Sequence, residues 1–131
     1  MAARLSTLCA ALALCSQTAL AQSVSIELNA THPRDGACQF VLVGQNDTDV
    51  DIAQLVLEAV LFDTDGRVAA MTLLDLQDLP AGRTRVRSFE IGGVTCDGVS
   101  RLLINGLSTC EPEGCGDALS ARSATAIEVL Q

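Results

Sequence analysis

Four cysteines, Cys38, Cys96, Cys110 and Cys115, hold most of the chemical potential of this chain; Cys9 and Cys15 lie near its start. A thiolate can act as a nucleophile, bind a soft metal or pair with a second sulfur. The first two uses need company that the sequence lacks. A nucleophile needs a base, yet His32 is the sole histidine and no Gly-x-Ser-x-Gly elbow occurs. A copper or zinc site needs a His, Cys or Met cluster, and beyond residue 21 only His32 and Met71 accompany these cysteines. Cys110 and Cys115 enclose Glu-Pro-Glu-Gly, whose carboxylates oppose thiolate formation. The four are therefore expected to form two structural disulfides, as in small exported domains.

Carboxylates are the other candidates. Asp47, Asp49, Asp51 and Glu58 occupy positions 1, 3, 5 and 12 of an EF-hand loop. Ile52 stands where that loop turns on Gly, and Glu58 falls within an apolar run. Asp63 and Asp65 with Gly66 would need Leu61 as first ligand. Neither set meets the pattern, so these are read as solvated turns. The expectation is a protein that is not an enzyme, with no catalytic residue, no metal and no cofactor.

Composition narrows the partners. The chain carries a net charge of −8, and all eight of its cations are Arg. That balance argues against nucleic acid and anionic membranes, both of which demand cationic surface. Trp and Tyr are absent and Phe occurs three times, at 40, 62 and 89. Sugar-binding and single-strand-binding surfaces usually need aromatic platforms, so those functions are not expected either.

The first residues read as a secretory signal. Arg4 precedes an apolar run from Leu8 to Leu14, and a polar break leads to Ala19-Leu20-Ala21. That layout predicts cleavage before Gln22, since the run is too short to span a bilayer. Leu14 before Cys15 argues against a lipoprotein. The expected organisation is a signal peptide over 1–21 and one domain over 22–131, periplasmic or secreted, with no membrane insertion after cleavage.

The elements that must position these residues read as strands. Two apolar runs, from Ala53 to Phe62 and from Val68 to Leu76, flank Asp63-Thr64-Asp65-Gly66, which reads as a β-hairpin. A helical stripe through Leu55, Ala59 and Phe62 is the alternative; the Asp-rich turn and the returning run favour strands. Val24, Ile26 and Leu28 alternate in a first strand, a loop covers 31–36, and Cys38 to Gly44 is the second. Pro80 and Gly82 mark another turn. A fifth strand from Thr84 to Ile91 has inconsistent parity, and a bulge near Arg87-Ser88 would bring Val86, Phe89 and Ile91 inward together. Arg101 to Leu107 is apolar on both parities, 111–121 reads as loop, and 125–129 as a last strand. About seven strands with these turn signals predict an all-β fold, an immunoglobulin-like antiparallel β-sandwich with two disulfides.

The run Ala59-Val60-Leu61-Phe62-Asp63, with Asp65-Gly66, the Pro80–Gly82 turn and Phe89, resembles the FxLYD-type immunoglobulin-like domains of bacterial secreted proteins. Leu61 and Asp63 match its motif; Phe62 replaces Tyr and Ala59 replaces the first Phe. The chain also resembles small four-cysteine secreted proteins of Gram-negative bacteria. The resemblance implies an extracytoplasmic sandwich and no reaction.

Alternating strand directions suggest the pairing. Cys38 starts the second strand and Cys96 follows the fifth, at one end of the sandwich. The sixth strand carries Cys110 to the other end, roughly 20 Å away at ~3.3 Å per residue. Bridged Cα atoms lie within about 7 Å, so Cys38–Cys96 and Cys110–Cys115 are expected. If Asn105-Gly106 were instead a hairpin turn, Cys96–Cys110 and Cys38–Cys115 would become possible.

The hairpin carries the partner clue. Leu55, Leu57 and Leu61 take one parity and Val56, Val60 and Phe62 the other. On the returning strand Val68, Leu74 and Leu76 oppose Met71 and Leu73. A two-layer sandwich buries one face of each sheet, so the second apolar face needs a loop, the chain's tail, another subunit or a partner over it. The expected function is a non-enzymatic interaction module, with Val56, Val60, Phe62 and Met71 meeting an extracytoplasmic protein partner or a second copy. The alternative is a small inhibitor or accessory subunit that docks in an enzyme through the 110–115 loop.

Overall fold

The computed structural model describes residues 22–131; the expected signal peptide lies outside them. Eight strands follow in order: β1 (Val24–Arg34), β2 (Ala37–Asn46), β3 (Ile52–Asp63), β4 (Val68–Leu79), β5 (Thr84–Gly92), β6 (Val99–Glu111), β7 (Leu119–Ser123) and β8 (Glu128–Leu130). They form two four-stranded sheets, β5-β2-β1-β7 and β4-β3-β6-β8. Neighbours are antiparallel except at β1–β7 and β6–β8, which run parallel. The immunoglobulin-like sandwich is thus present, and Ala53–Phe62 is strand rather than helix.

The core lies between the sheets and follows strand alternation. Val24, Ile26 and Leu28 of β1 and Phe40 and Leu42 of β2 face Leu55, Leu57 and Leu61 of β3 and Leu74 and Leu76 of β4. Each such side chain contributes roughly 1.5–3 kcal/mol by leaving water.

Three segments depart from the sequence reading. The stretch 31–36 is strand almost throughout, because β1 and β2 continue pairing to Arg34↔Ala37. Pro33 fits there because β7 stops opposite Leu28, leaving that side of β1 free of a neighbour. The expected loop 111–121 contains the start of β7, and the expected strand 125–129 shrinks to β8. The chain switches sheets between them. Ser123 Oγ accepts from the Thr125 amide at 3.0 Å, Thr125 Oγ1 accepts from the Ile127 amide at 3.1 Å, and the Ala124 amide donates to the Leu28 carbonyl. These side-chain bonds replace the ladder over the crossing.

The third departure is β5. Its pairing with β2 runs from Ala37↔Gly92 to Gln45↔Thr84 without a register shift, so no bulge exists at Arg87-Ser88. Val86 therefore points outward and is exposed, while Arg85 and Arg87 share the inward parity with Phe89 and Ile91. A sheet's edge strand meets the seam between layers, where a long cation can reach a partner. Arg85 and Arg87 each bond an oxygen of Asp78 on β4 at 3.2 Å, and Arg87 Nε donates to the Leu76 carbonyl at 3.0 Å. These two arginines tie the two sheet edges together.

The hairpin turn forms as its residues predict. Asp63 Oδ1 accepts from the amides of Asp65 and Arg67 at 2.9 Å each, and Gly66 has φ 78°. Both disulfides join the expected partners, with Cα separations of 5.0 Å for Cys38–Cys96 and 5.8 Å for Cys110–Cys115. β6 runs straight through Asn105-Gly106. Its register steps from Ala59↔Ile104 to Glu58↔Gly106, so Asn105 is a bulge residue and not a turn. A Cβ at Gly106 would stand 3.4 Å from Glu58 Oε2, so glycine leaves that carboxylate its place.

Glu27 on β1 accepts from Asn29 Nδ2 at 2.8 Å and from Arg122 Nε of β7 at 2.6 Å. These hydrogen bonds, Asn29 first, hold its carboxyl below the usual glutamate range. A depressed folded value stabilises above the unfolded one, roughly pH 4.3, and that contribution is lost as pH falls through the folded value. Arg122→Ala is expected to lower the urea midpoint at pH 7 and to leave it nearly unchanged at pH 2. Equal losses at both pH values would contradict this account.

Candidate interaction face

On the outer side of the β4-β3-β6-β8 sheet, register places four apolar side chains in one row. Met71 of β4 lies opposite Val60 of β3, Val60 opposite Leu103 of β6, and Leu103 opposite Leu130 of β8. Val68, Phe62 and Arg101 form the adjacent row, and Leu73 with Glu58 the row on the other side. Exposure is graded. Met71 is 72% exposed and Leu73 58%, whereas Val56 and Val60 are each 7%. The central strand is sheltered by its neighbours' side chains; the edge strand has shelter on one side. The Arg101 guanidinium lies 4.9 Å above the Phe62 ring centroid, a cation–π contact that keeps the ring half-buried. A shallow depression of about 280 Å³ opens between Val60, Met71, Leu73 and Asn105.

The structure thus brings Val60, Phe62 and Met71 together on one face. Val56 shares that face but sits opposite Asp75 and Thr109, away from the apolar row. Val68 differs from its expected parity. The register steps from Leu61↔Ala70 to Phe62↔Val68, so Ala69 is an extra residue and Val68 turns outward beside Phe62. Leu103, Leu130 and Arg101 complete the face and were not singled out from the sequence. The double-parity apolar run of β6 was the available signal for Leu103; Leu130 carried none, because it reaches the face through the sheet switch.

The other outer face is different. There Ser25, Glu27, Gln39, Gln45, Ser88 and Glu90 alternate with Val41, Val43 and Val86 in the registers of β1, β2 and β5.

The acidic residues serve the turns. Asp47 accepts from Gln45 at 2.7 Å, Asp51 from the Ala81 amide at 2.9 Å, and Asp63 caps the hairpin. Among the described residues no group of three or more His, Cys, Asp or Glu side chains is placed to hold a metal ion. The 110–115 loop lies at one end of the sandwich. Pro112, Glu113, Gly114 and Cys115 line a cavity of about 310 Å³ with Thr48, Asp49 and Val50.

Fold and site together define an immunoglobulin-like sandwich with two disulfides and one apolar outer face. Such bridges are compatible with an extracytoplasmic protein, and no helix among the described residues is long and apolar enough to cross a membrane. No family model and no curated protein matches this chain. Among solved structures it is similar to IrmA from Escherichia coli, at 17% identity and a TM-score of 0.63, over 77% of this chain and 92% of that one. At that identity the likeness concerns the fold.

Proposed function

We propose that this protein is an exported, non-enzymatic interaction module, periplasmic or secreted, that binds a protein partner through the outer face of the β4-β3-β6-β8 sheet. The observation that carries this reading is the row Met71–Val60–Leu103–Leu130, apolar across four strands and open to solvent at its β4 end. A protein surface with an apolar centre and an aromatic beneath an arginine suits a protein partner: both residue types are enriched where interfaces concentrate their energy. The acidic balance and the lack of Trp and Tyr point away from nucleic acid and sugars.

The disulfide-closed 110–115 loop, which lines the cavity at the sandwich end, supports a second reading as an inhibitor or accessory subunit. The two separate experimentally. With the mature protein as bait in periplasmic extract, Val60→Ala with Phe62→Ala is expected to abolish capture of the partner, and Glu111→Ala with Glu113→Ala to leave it intact. The reverse pattern would transfer the function to the loop. Val60 lies opposite Met71 and Phe62 opposite Val68, so the two changes alter the face where β3 meets β4.

A further inference from the structure

Four carboxylates of the described residues are half-buried: Glu27, Glu58, Asp63 and Asp78. Three of them have donors. Glu27 has Asn29 and Arg122, Asp63 has the amides of Asp65 and Arg67, and Asp78 has Arg85 and Arg87. Glu58 takes no hydrogen bond and no ion pair from any described residue. It projects from β3, an inner strand of its sheet, between Leu73 of β4 and Gly106 of β6. A charge without a donor thus stands within the apolar outer face.

Local structure holds it there. Asn105 is the extra residue of the β6 bulge, so a glycine falls opposite Glu58. Oε2 and Cδ of Glu58 lie 3.4 and 3.9 Å from where a Cβ on Gly106 would be, so the carboxylate leans over bare backbone. Glu58 also lines the depression formed with Val60, Met71, Leu73 and Asn105. At about 280 Å³ that depression is smaller than the roughly 300–1,000 Å³ of small-molecule sites, and it suits a single side chain. A lone carboxylate beside an amide does not supply the ligands of a metal ion.

We infer that this depression binds an arginine side chain of the partner protein. The arginine stem lies along Met71 and Leu73, its guanidinium donates to the Glu58 carboxylate, and the Asn105 amide adds a second acceptor. Covering the face removes Glu58 from water. A purely apolar partner would leave that carboxylate desolvated and unpaired, and is thereby rejected. A partner that brings its own cation is not. Arginine suits the place better than lysine: its guanidinium is planar, weakly hydrated and able to serve two acceptors, whereas an ammonium is strongly hydrated. Arginine is also enriched in interfaces and lysine depleted. The net charge of −8 favours the approach of a cationic surface. The inference rests on the outer face as the binding surface and names what that face recognises.

The test uses the mature protein, isotope-labelled for NMR, and three blocked tripeptides that differ only at the centre. These are acetyl-Leu-Arg-Leu-amide and its lysine and citrulline counterparts, citrulline being the neutral isostere of arginine. The arginine peptide is expected to bind with a Kd on the order of 1 mM, because one side chain in a shallow site must offset the ordering of the peptide. It is expected to shift the amide signals of Glu58, Met71, Leu73 and Asn105. The citrulline peptide is expected to bind roughly tenfold more weakly for want of a charge-assisted bond, with lysine between the two. Glu58→Gln keeps the shape. It is expected to bind the arginine peptide as weakly as the citrulline one, and to bind the citrulline peptide as the wild type does. No binding, equal affinity for arginine and citrulline, or an unchanged affinity in Glu58→Gln would overturn the site. Equal affinity for lysine would overturn the choice of arginine. Shifts at the same residues on concentrating the protein alone would place a second copy there and overturn the foreign arginine. The peptides need no natural partner, so their failure is read apart from the capture experiment with Val60→Ala and Phe62→Ala, which decides the face itself.

Discussion

Replacing Cys38 and Cys96 together by alanine is expected to destabilise the protein by about 4 kcal/mol and to lower its Tm by roughly 15–25 °C. The bridge spans 58 residues and joins the start of β2 to the short 3-10 turn Cys96–Gly98 that leads into β6. Reduction releases a long loop in the unfolded chain, whose closure the bridge would otherwise enforce. Cys38 is also fully buried in the core beside the ladder of β1 and β2, so alanine leaves a gap there as well. The internal control is the other bridge. Cys110–Cys115 spans 5 residues, and its removal is expected to cost about 2 kcal/mol by the same loop entropy. Urea denaturation of the two double-alanine variants gives the comparison. Equal losses would mean that loop length does not set the contribution.

The bridging pattern was legible because it depends on which end of a strand each cysteine occupies, and strand direction alternates whatever the details of packing. The same holds for the core. Val24, Ile26 and Leu28, then Leu55, Leu57 and Leu61, are buried as their alternation requires. What stayed hidden depends on contacts distant in sequence. Arg85 and Arg87 break an apolar parity, and a bulge is the local remedy. The structure instead gives them Asp78 and the Leu76 carbonyl across the seam. Nothing in the run 84–91 discloses that β5 is an edge strand lying against β4. Asn105-Gly106 has the signature of a turn, but pairing with β3 before and after it, at Ala59↔Ile104 and Glu58↔Gly106, holds it as a bulge. The division of the last strand between sheets rests on Ser123 and Thr125 bonding their own backbone, a device that composition alone does not distinguish from a loop.

The candidate face shows the same boundary. Val60, Phe62 and Met71 were legible from the hairpin, since one turn sets the register of both strands. Leu103 and Leu130 join them through pairings formed far along the chain. Val68 was misplaced because a bulge at Ala69 reverses parity without any glycine or proline to announce it. Val68 is exposed there. It extends the apolar edge of β4 toward the hairpin turn, next to the Arg101–Phe62 contact.

The second large effect is expected at Asn46, the only buried polar residue among those described. It ends β2, and its side chain saturates four partners. Nδ2 donates to the Val50 carbonyl at 2.8 Å and the Leu79 carbonyl at 2.9 Å; Oδ1 accepts from the Thr48 amide at 3.0 Å and the Thr48 hydroxyl at 2.6 Å. The Asn46 backbone also bonds Arg83 and Gly82. One amide thereby fastens the 47–51 loop and the end of β4 to the first sheet. Asn46→Asp keeps the shape and the two accepted bonds but faces two carbonyl oxygens with a carboxylate. At neutral pH that is a buried charge with repulsive neighbours, and a loss of about 3–5 kcal/mol is expected. The sign with pH follows. The introduced carboxyl has a folded pKa raised above its unfolded value of roughly 3.9, so the penalty is absent below that value and grows as pH rises toward the folded one. Below it the neutral acid can donate to one of the two carbonyls. Urea midpoints of Asn46→Asp are therefore expected to approach those of the wild type at pH 3 and to fall well short at pH 7. Glu27 imposes the opposite slope on both proteins alike, so it cancels in the gap between the two curves, which closes on acidification through the introduced carboxyl alone. A constant gap from pH 3 to pH 7 would show that lost shape, and not buried charge, accounts for the damage.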